Sequence, residues 1–195
     1  MTTPPLIILS STSSARKSVL ERLLLPFQTF APEIDETPLP NEKPEDLVLR
    51  LAELKAHAAQ ITYPNALVIG SDQVAIVNDV ILGKPGTYER AVKQLQRVSG
   101  QTVNFLTGLC LLNTKTQQIQ IDSIPFGIQF RTLTLSQIEQ YLHQEKPYNC
   151  AGSFRSEGLG IVLIEKIIAE DPTAIMGLPL IRLIQMFEKQ GVNVI

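Results

Sequence analysis

The chain has no tryptophan, two cysteines and two histidines among its 195 residues. Cys110 and Cys150 form no CxxC, and His57 and His143 are the only imidazoles, which argues against a Cys/His zinc site. One disulfide is open on paper, but the expected state is two reduced core thiols in a cytoplasmic protein. No apolar run approaches the length of a membrane helix, so no membrane association is expected. The segment Met1 to Ser11 lacks a basic n-region and has only Leu6 to Leu9 as a continuous apolar stretch, so it does not read as a signal peptide. There is also no excess of cations. Seventeen Lys and Arg face nineteen Asp and Glu, for a net charge of −2, which leaves no basic footprint for duplex nucleic acid but room for a local cluster that holds a small anion. Low-complexity tracts, internal repeats, linkers, a GxxxxGK[ST] loop and a histidine near a glycine-flanked serine are all missing.

What is present is a globular composition, 44% apolar and 18% charged. The length fits one domain, or one domain with two lobes, large enough to need neither disulfide nor structural metal. Leu6 to Leu9 reads as a buried strand, followed by Ser13 as N-cap of a helix with Val19, Leu20, Leu23 and Leu24 on one face. Phe27 to Ala31 is a second strand. Pro32 to Pro44 is a loop rich in proline and acids, and Pro44 opens a helix at the position proline favours. That helix carries an apolar stripe of Leu47, Leu51, Leu54 and Ala58, widened by Val48, with Arg50, Glu53 and His57 opposite. Lys55 falls inside the apolar arc. It is either an edge lysine that snorkels to water or a cation held inward for a bound anion.

Further strands are expected at Ala66 to Gly70, at Val74 to Val77 and Val80 to Leu82 around an Asn78-Asp79 turn, and at Thr102 to Leu112, Gln118 to Leu133 and Ile161 to Ile164. Further helices are expected at Thr87 to Val98, from a Ser136/Glu139 capping box to about Gln144, and from Pro179 to the stop at Gly191. Strands and helices mix without strict alternation, which implies a mixed α/β sheet.

Four loops concentrate polar residues beside apolar strands. Ser11 to Lys17 joins a strand to a helix N-terminus, a natural anion site if it is more than a cap. Pro32 to Pro38 clusters Glu33, Asp35 and Glu36, either as a hard-cation site or as solvated acids. Gly70-Ser71-Asp72-Gln73 with Gly83-Lys84-Pro85 places an acid beyond a buried strand; a regular hairpin would bring the charge of Lys84 close to Asp72, on opposite faces unless Gly83 bulges. Ala151 to Gly160 sets Glu157 among glycines next to Phe154, as an ordinary turn or the wall of a pocket for a planar base. Both histidines are expected to be exposed and silent.

These segments together resemble the Maf family of bacterial nucleotide pyrophosphatases, over essentially the whole chain, residues 1–195 as a single Maf-like domain. The resemblance rests on Ile8-Leu9 with Ser11-Thr12-Ser13 and Arg16, Ala31 to Pro38, Arg50-Leu51-Ala52 with Lys55-Ala56, Ile69 to Val74, Gly83-Lys84-Pro85, Cys150 to Gly158 and Gly177 to Leu180. It is closest to the 7-methyl-GTP branch, since the dTTP/UTP branch usually has Gln at the position of Glu157. The sequence departs from the pattern at Ser14, where Pro is common, at Ala15, where the branch often has an aromatic, and near Thr173, where Asn is frequent.

The resemblance implies a long bent mixed sheet flanked by helices, with two lobes and a central cleft. It implies cleavage of a nucleoside triphosphate between the α- and β-phosphates, a divalent cation (Mg2+ or Mn2+), and, at family level, a homodimer. Carried over by position, it makes Asp72 the proton acceptor and Ser13, Arg16, Lys55 and Lys84 the substrate-binding residues. It gives specificity to Ala15, Gln73 and Glu157, and the metal to Glu36 and Asp72. The alternatives are dTTP/UTP cleavage within the same family, or a non-catalytic nucleotide-binding regulator of cell division.

Overall fold

Apolar residues in the central strands alternate between two faces, and both faces are covered. In the computed structural model, which describes residues 5–78 and 80–195, the strands are β1 (Leu6–Ser10), β2 (Phe27–Phe30), β3 (Ala66–Val77), β4 (Val80–Leu82), β5 (Thr102–Asn113), β6 (Gln118–Phe130) and β7 (Ile164–Ala169). The helices are α1 (Ser14–Glu21), α2 (Pro44–Ala58), α3 (Tyr88–Val98), α4 (Leu135–Glu145) and α5 (Leu180–Lys189). The sheet order is β2-β1-β3-β5-β6-β7, with β4 paired to β3. β1 runs parallel to β2 and β3, whereas β4 is antiparallel to β3 and β7 to β6. The fold is therefore mixed α/β, as the sequence predicts. Val77 pairs with Val80 as expected. The turn between them includes Asp79, which lies outside the described residues, as do Met1 to Pro4 of the N-terminal segment.

The chain divides into two compact units. Unit 1 comprises Met1–Asp72, Thr107–Ile124 and Asp171–Ile195. On one face of its strands, Ile7, Leu9, Leu67, Ile69, Leu109 and Leu111 pack with Val19 and Leu20 of α1 and Leu183, Met186 and Phe187 of α5. On the other, Ile8, Ala66, Val68, Cys110 and Leu112 meet Ala52 and Ala56 of α2, together with Ala59. This period of two, buried on both sides, explains why the strands read as continuous apolar runs.

Helix α2 sits very close to the sheet. A Cβ on Gly70 would land on the Ala52 carbonyl and one on Gly108 on the Val48 carbonyl, so both glycines are contact points for the helix backbone. Leu47, Val48 and Leu51 of the predicted stripe are buried as expected, and the close approach corrects only its C-terminal part. Ala52, Lys55 and Ala56 are buried, while Leu54 is 40% exposed. Ala52 and Ala56 face the sheet where the helix backbone meets Gly70, a contact too close for a larger side chain. Helix α1 also ends earlier than predicted, at Glu21, leaving Leu24 at φ 55° and 90% exposed.

Unit 2 comprises Gln73–Leu106 and Pro125–Glu170. Its aromatic centre stacks Phe105 on Phe126 at 4.6 Å, with Phe154 against Phe130 at 5.5 Å. Helices α3 and α4 contribute Ala91, Leu95 and Val98, and Ile138, Tyr141 and Leu142. The capping box of α4 is Thr134 with Gln137, not Ser136 with Glu139. Removing the cap hydroxyl in Thr134→Ala is expected to cost about 1 kcal/mol, read as a lowered urea midpoint. The strand expected at Ile161 begins instead at Ile164, because Leu159–Leu163 coils as 3-10 turns. His143 stacks on Tyr88 at 5.3 Å and so serves packing. Both cysteines are free, and burial pushes the Cys110 thiol up to about 12.

Candidate active site

In unit 1, β1 delivers the chain to the N-terminus of α1. Ser13 caps that helix by accepting from the Arg16 N–H at 3.3 Å, as predicted. Ser11 Oγ accepts from the Ser13 N–H at 3.1 Å and from Arg16 Nη1 at 3.4 Å, which folds the Arg16 side chain back over the helix start. Arg16 Nε donates to the Gly177 carbonyl at 2.8 Å. The same carbonyl accepts from Ser71 Oγ at 2.8 Å, so one backbone oxygen fixes a cation and a hydroxyl together. Gly177 reaches this position at φ 79°, and a side chain there would press on Arg16, with Nε only 3.1 Å from its Cβ.

The second cation comes from α2. Lys55 is 6% exposed and Asp72 8% exposed, and Lys55 Nζ stands 2.6 Å from Asp72 Oδ1 and 2.7 Å from Glu36 Oε1. A buried ammonium is tolerated only when charge and hydrogen bonds compensate its lost hydration, and two carboxylates do so here. The open question of whether Lys55 snorkels or points inward is answered: it points to the acids. Ser10 Oγ donates to the Lys55 carbonyl at 2.5 Å, tying the end of β1 to the same turn of α2. Strand β3 does not stop at Gly70 as predicted but continues through Ser71 and Asp72, so Asp72 is held by sheet backbone rather than by a loop. Burial pushes the Arg16 guanidinium down from its ordinary value, while Asp72 and Glu36 pull it back up. Arginine stays charged regardless.

The loop carrying Glu36 is clamped by residues the sequence did not single out together. Arg50 donates from Nε to Glu42 Oε1 at 2.6 Å and from Nη2 to Glu42 Oε2 at 2.7 Å, a bidentate fork. Glu42 Oε2 also accepts from the Leu39 N–H at 2.9 Å, and Arg50 Nη2 reaches the Thr37 carbonyl at 3.2 Å. The fork holds the Glu42 carboxyl down at about 2. The acidic loop is thus anchored to α2, the helix that carries Lys55. No spacing rule connects Glu42 to Arg50; only a charged pair flanking the Pro44 start hints at it.

Near Gly177, Asp171 and Thr173 form a clamp. Thr173 donates from Oγ1 to Asp171 Oδ1 at 2.6 Å and accepts from the Leu180 N–H at 2.7 Å, while Asp171 Oδ2 accepts from the Ile181 N–H at 2.8 Å. Thr173 therefore caps α5, whose N-cap position is Pro179 with no side-chain cap of its own.

Of the predicted site residues, Ser13, Arg16, Glu36, Lys55 and Asp72 belong to unit 1, and three of them meet at the Lys55 ammonium. Ala15 lies half-buried in the first turn of α1. Gln73, Lys84 and Glu157 belong to unit 2. The Glu157 carboxylate accepts from Arg155 Nε and from Ser156 Oγ, each at 3.3 Å. Among the described residues no three His, Cys, Asp or Glu converge as a complete metal cage. Magnesium sites commonly use only one or two carboxylates and complete the shell with water and substrate phosphates. Glu36 and Asp72, whose oxygens already converge on one cation, fit that donor set.

The family model described as "Maf-like protein" matches residues 6–190. The chain is 57% identical to the 7-methyl-GTP pyrophosphatase of Nitrosococcus oceani, over 98% of this chain and 96% of that protein. It is 52% identical to the proteins of the same name from Vibrio cholerae, covering 97% of each, and from Pseudomonas savastanoi pv. phaseolicola, covering 97% and 99%. A solved structure, that of the Staphylococcus aureus Ham1 protein, aligns with 95% of this chain and 99% of its own at a TM-score of 0.49 and 12% identity. From the near-complete span of the family match and the level of identity to these relatives, this chain belongs to the Maf family.

Proposed function

We propose that the chain hydrolyses 7-methyl-GTP to 7-methyl-GMP and pyrophosphate. The observation that carries this reading is the buried Lys55 bridging Glu36 and Asp72 in a unit that also holds Arg16 at a helix N-terminus. The names of the relatives support the choice of nucleotide. Hydrolysis adds water across the anhydride between the α- and β-phosphates. Asp72 accepts the proton of the attacking water, and Arg16, Lys55 and Lys84 balance the charge that gathers on the departing pyrophosphate. Ser13 and the free N–H groups of α1 add partial positive charge. Glu36 and Asp72 would hold a divalent cation, Mg2+ or Mn2+, which when bound polarises phosphate oxygens and lowers the pKa of water.

Specificity falls to Glu157, with Gln73 and Ala15. Guanine presents N1–H and the 2-amino group along one edge. A carboxylate accepts both in a fork, which glutamine with its single acceptor oxygen does not. Methylation at N7 puts positive charge on the ring and makes the N1–H and 2-amino protons more acidic, which strengthens both charge-assisted bonds to the carboxylate. The whole chain, residues 1–195, then serves as one Maf-like domain, acting in the cytoplasm on a free nucleotide, as a homodimer. No helix among the described residues is long and apolar enough to cross a membrane.

The test is product release from 7-methyl-GTP, GTP, dTTP and UTP, with and without metal. Pyrophosphate and the monophosphate are expected, with kcat/KM for 7-methyl-GTP about tenfold above GTP, the equivalent of about 1.4 kcal/mol. Orthophosphate release overturns the cleavage position, and equal rates on GTP and 7-methyl-GTP overturn the role of Glu157. A preference for dTTP or UTP moves the chain to the pyrimidine branch, and binding without turnover makes it a regulator.

A further inference from the structure

The loop that carries Glu157 in unit 2 is braced at both ends. Gly152 and Ser153 take consecutive left-handed conformations, at φ 66° and 58°. The Tyr141 hydroxyl donates to the Ser153 carbonyl at 3.3 Å and accepts from the Arg155 N–H at 3.1 Å, and Ser153 Oγ pairs with Gln94 Oε1 at 2.5 Å. Phe154 is buried against Phe130 and Phe105. At the far end stands Glu145, the last residue of α4. A carboxylate is out of place there, because a helix C-terminus already carries partial negative charge. Its side chain is nonetheless held in, 10% exposed, with Oε2 accepting from the Leu159 N–H at 2.5 Å and Oε1 from Arg155 Nη1 at 2.9 Å. Gly158 is the residue that leaves space for it: a Cβ there would fall 2.5–2.6 Å from both carboxylate oxygens.

Arg155 is shared. Its Nη1 is fixed on Glu145 and its Nε points to Glu157 Oε1 at 3.3 Å. We propose that Glu145 is a positioning residue for base recognition, acting through Arg155 to aim the Glu157 carboxylate. The proposal rests on the reading of Glu157 given above. Glu145 touches no reacting atom. It pins one end of the guanidinium and the backbone at Leu159, and the other end of the guanidinium sets the direction of the Glu157 side chain. A flexible glutamate would lose rotamer freedom on meeting the base; one already oriented loses less, and orientation matters most for a two-bond fork. The two carboxylates, one guanidinium and the glycine at 158 thus act as one unit, and the mutual attraction raises the Arg155 guanidinium above its ordinary value.

The readout is the ratio of kcat/KM for 7-methyl-GTP over GTP, in which a general loss of fold or of triphosphate binding cancels. Glu145→Gln keeps an acceptor for the Leu159 N–H but gives up the charge on Arg155. Arg155→Met keeps the stem and removes the guanidinium. Each is expected to lower the ratio about two- to fivefold, the range open to an accessible ion pair. Arg155→Lys is expected to recover part of it. Placed in a Glu157→Gln background, Glu145→Gln is expected to change the ratio no further, which a merely structural defect would not reproduce. An unchanged ratio in both Glu145→Gln and Arg155→Met, beside a lost one in Glu157→Gln, overturns the positioning role and leaves the base reading standing. Equal rates on the two nucleotides in the wild type overturn the base reading, and the positioning role falls with it.

Discussion

Asp72→Asn is expected to lower turnover about 10²–10⁴-fold, the range a general base contributes, with the fold intact. The substitution preserves shape. An asparagine oxygen still accepts from Lys55 Nζ, which keeps its second partner in Glu36 at 2.7 Å. The position is held by strand backbone on both sides, so loss of charge does not release it. What disappears is the ability to take a proton from water. The measurements are kcat for pyrophosphate release and the urea midpoint of the same preparation. A variant that turns over near the wild-type rate removes Asp72 from the chemistry. A fall in midpoint alongside kcat would instead make the Lys55 pair structural.

Gly108→Ala and Gly70→Ala are expected to destabilise by about 3 kcal/mol or more each, at or above the upper end of overpacking costs. The new methyl would meet backbone, the Val48 carbonyl in one case and the Ala52 carbonyl and Ala56 N–H in the other, and a helix backbone has no rotamer with which to retreat. With total stabilities of about 5–15 kcal/mol, either change takes a large share. Gly83→Ala is the control, since nothing lies within 4 Å of a Cβ there. Urea unfolding reads all three. Midpoints for Gly108→Ala and Gly70→Ala that match Gly83→Ala would mean that α2 does not need its close seat. Lys55 travels on α2, so activity is expected to fall in the two destabilised variants even where they remain folded.

Most elements were legible because their signals are local. Pro44 at the first turn of α2, Ser13 as the cap of α1 and the continuous apolar runs of β1, β3 and β5 each depend on neighbours a few residues away. The errors fall where a second local signal competes. Thr134/Gln137 and Ser136/Glu139 both spell a capping box, and the chain uses the first. Ile161 to Ile164 has strand composition, yet Gly158 and Gly160 coil the chain into 3-10 turns first. Ser71 and Asp72 are polar in an apolar run and read as a strand end, whereas β3 carries them straight through.

The sequence by itself determined the covered strands, the lysine inside an apolar helix face and the motif order that marks the Maf family. Periodicity reports which face a residue lies on, and motif order reports ancestry; both are written along the chain. Only the tertiary structure decided which acids meet Lys55, that α2 turns its alanines rather than Leu54 to the sheet, and that Glu42, Asp171 and Glu145 are anchors rather than surface charge. Those outcomes depend on distances between segments far apart in sequence. The distances are set by small residues such as Gly70 and Gly108 at the packing contacts, and no spacing along the chain encodes them.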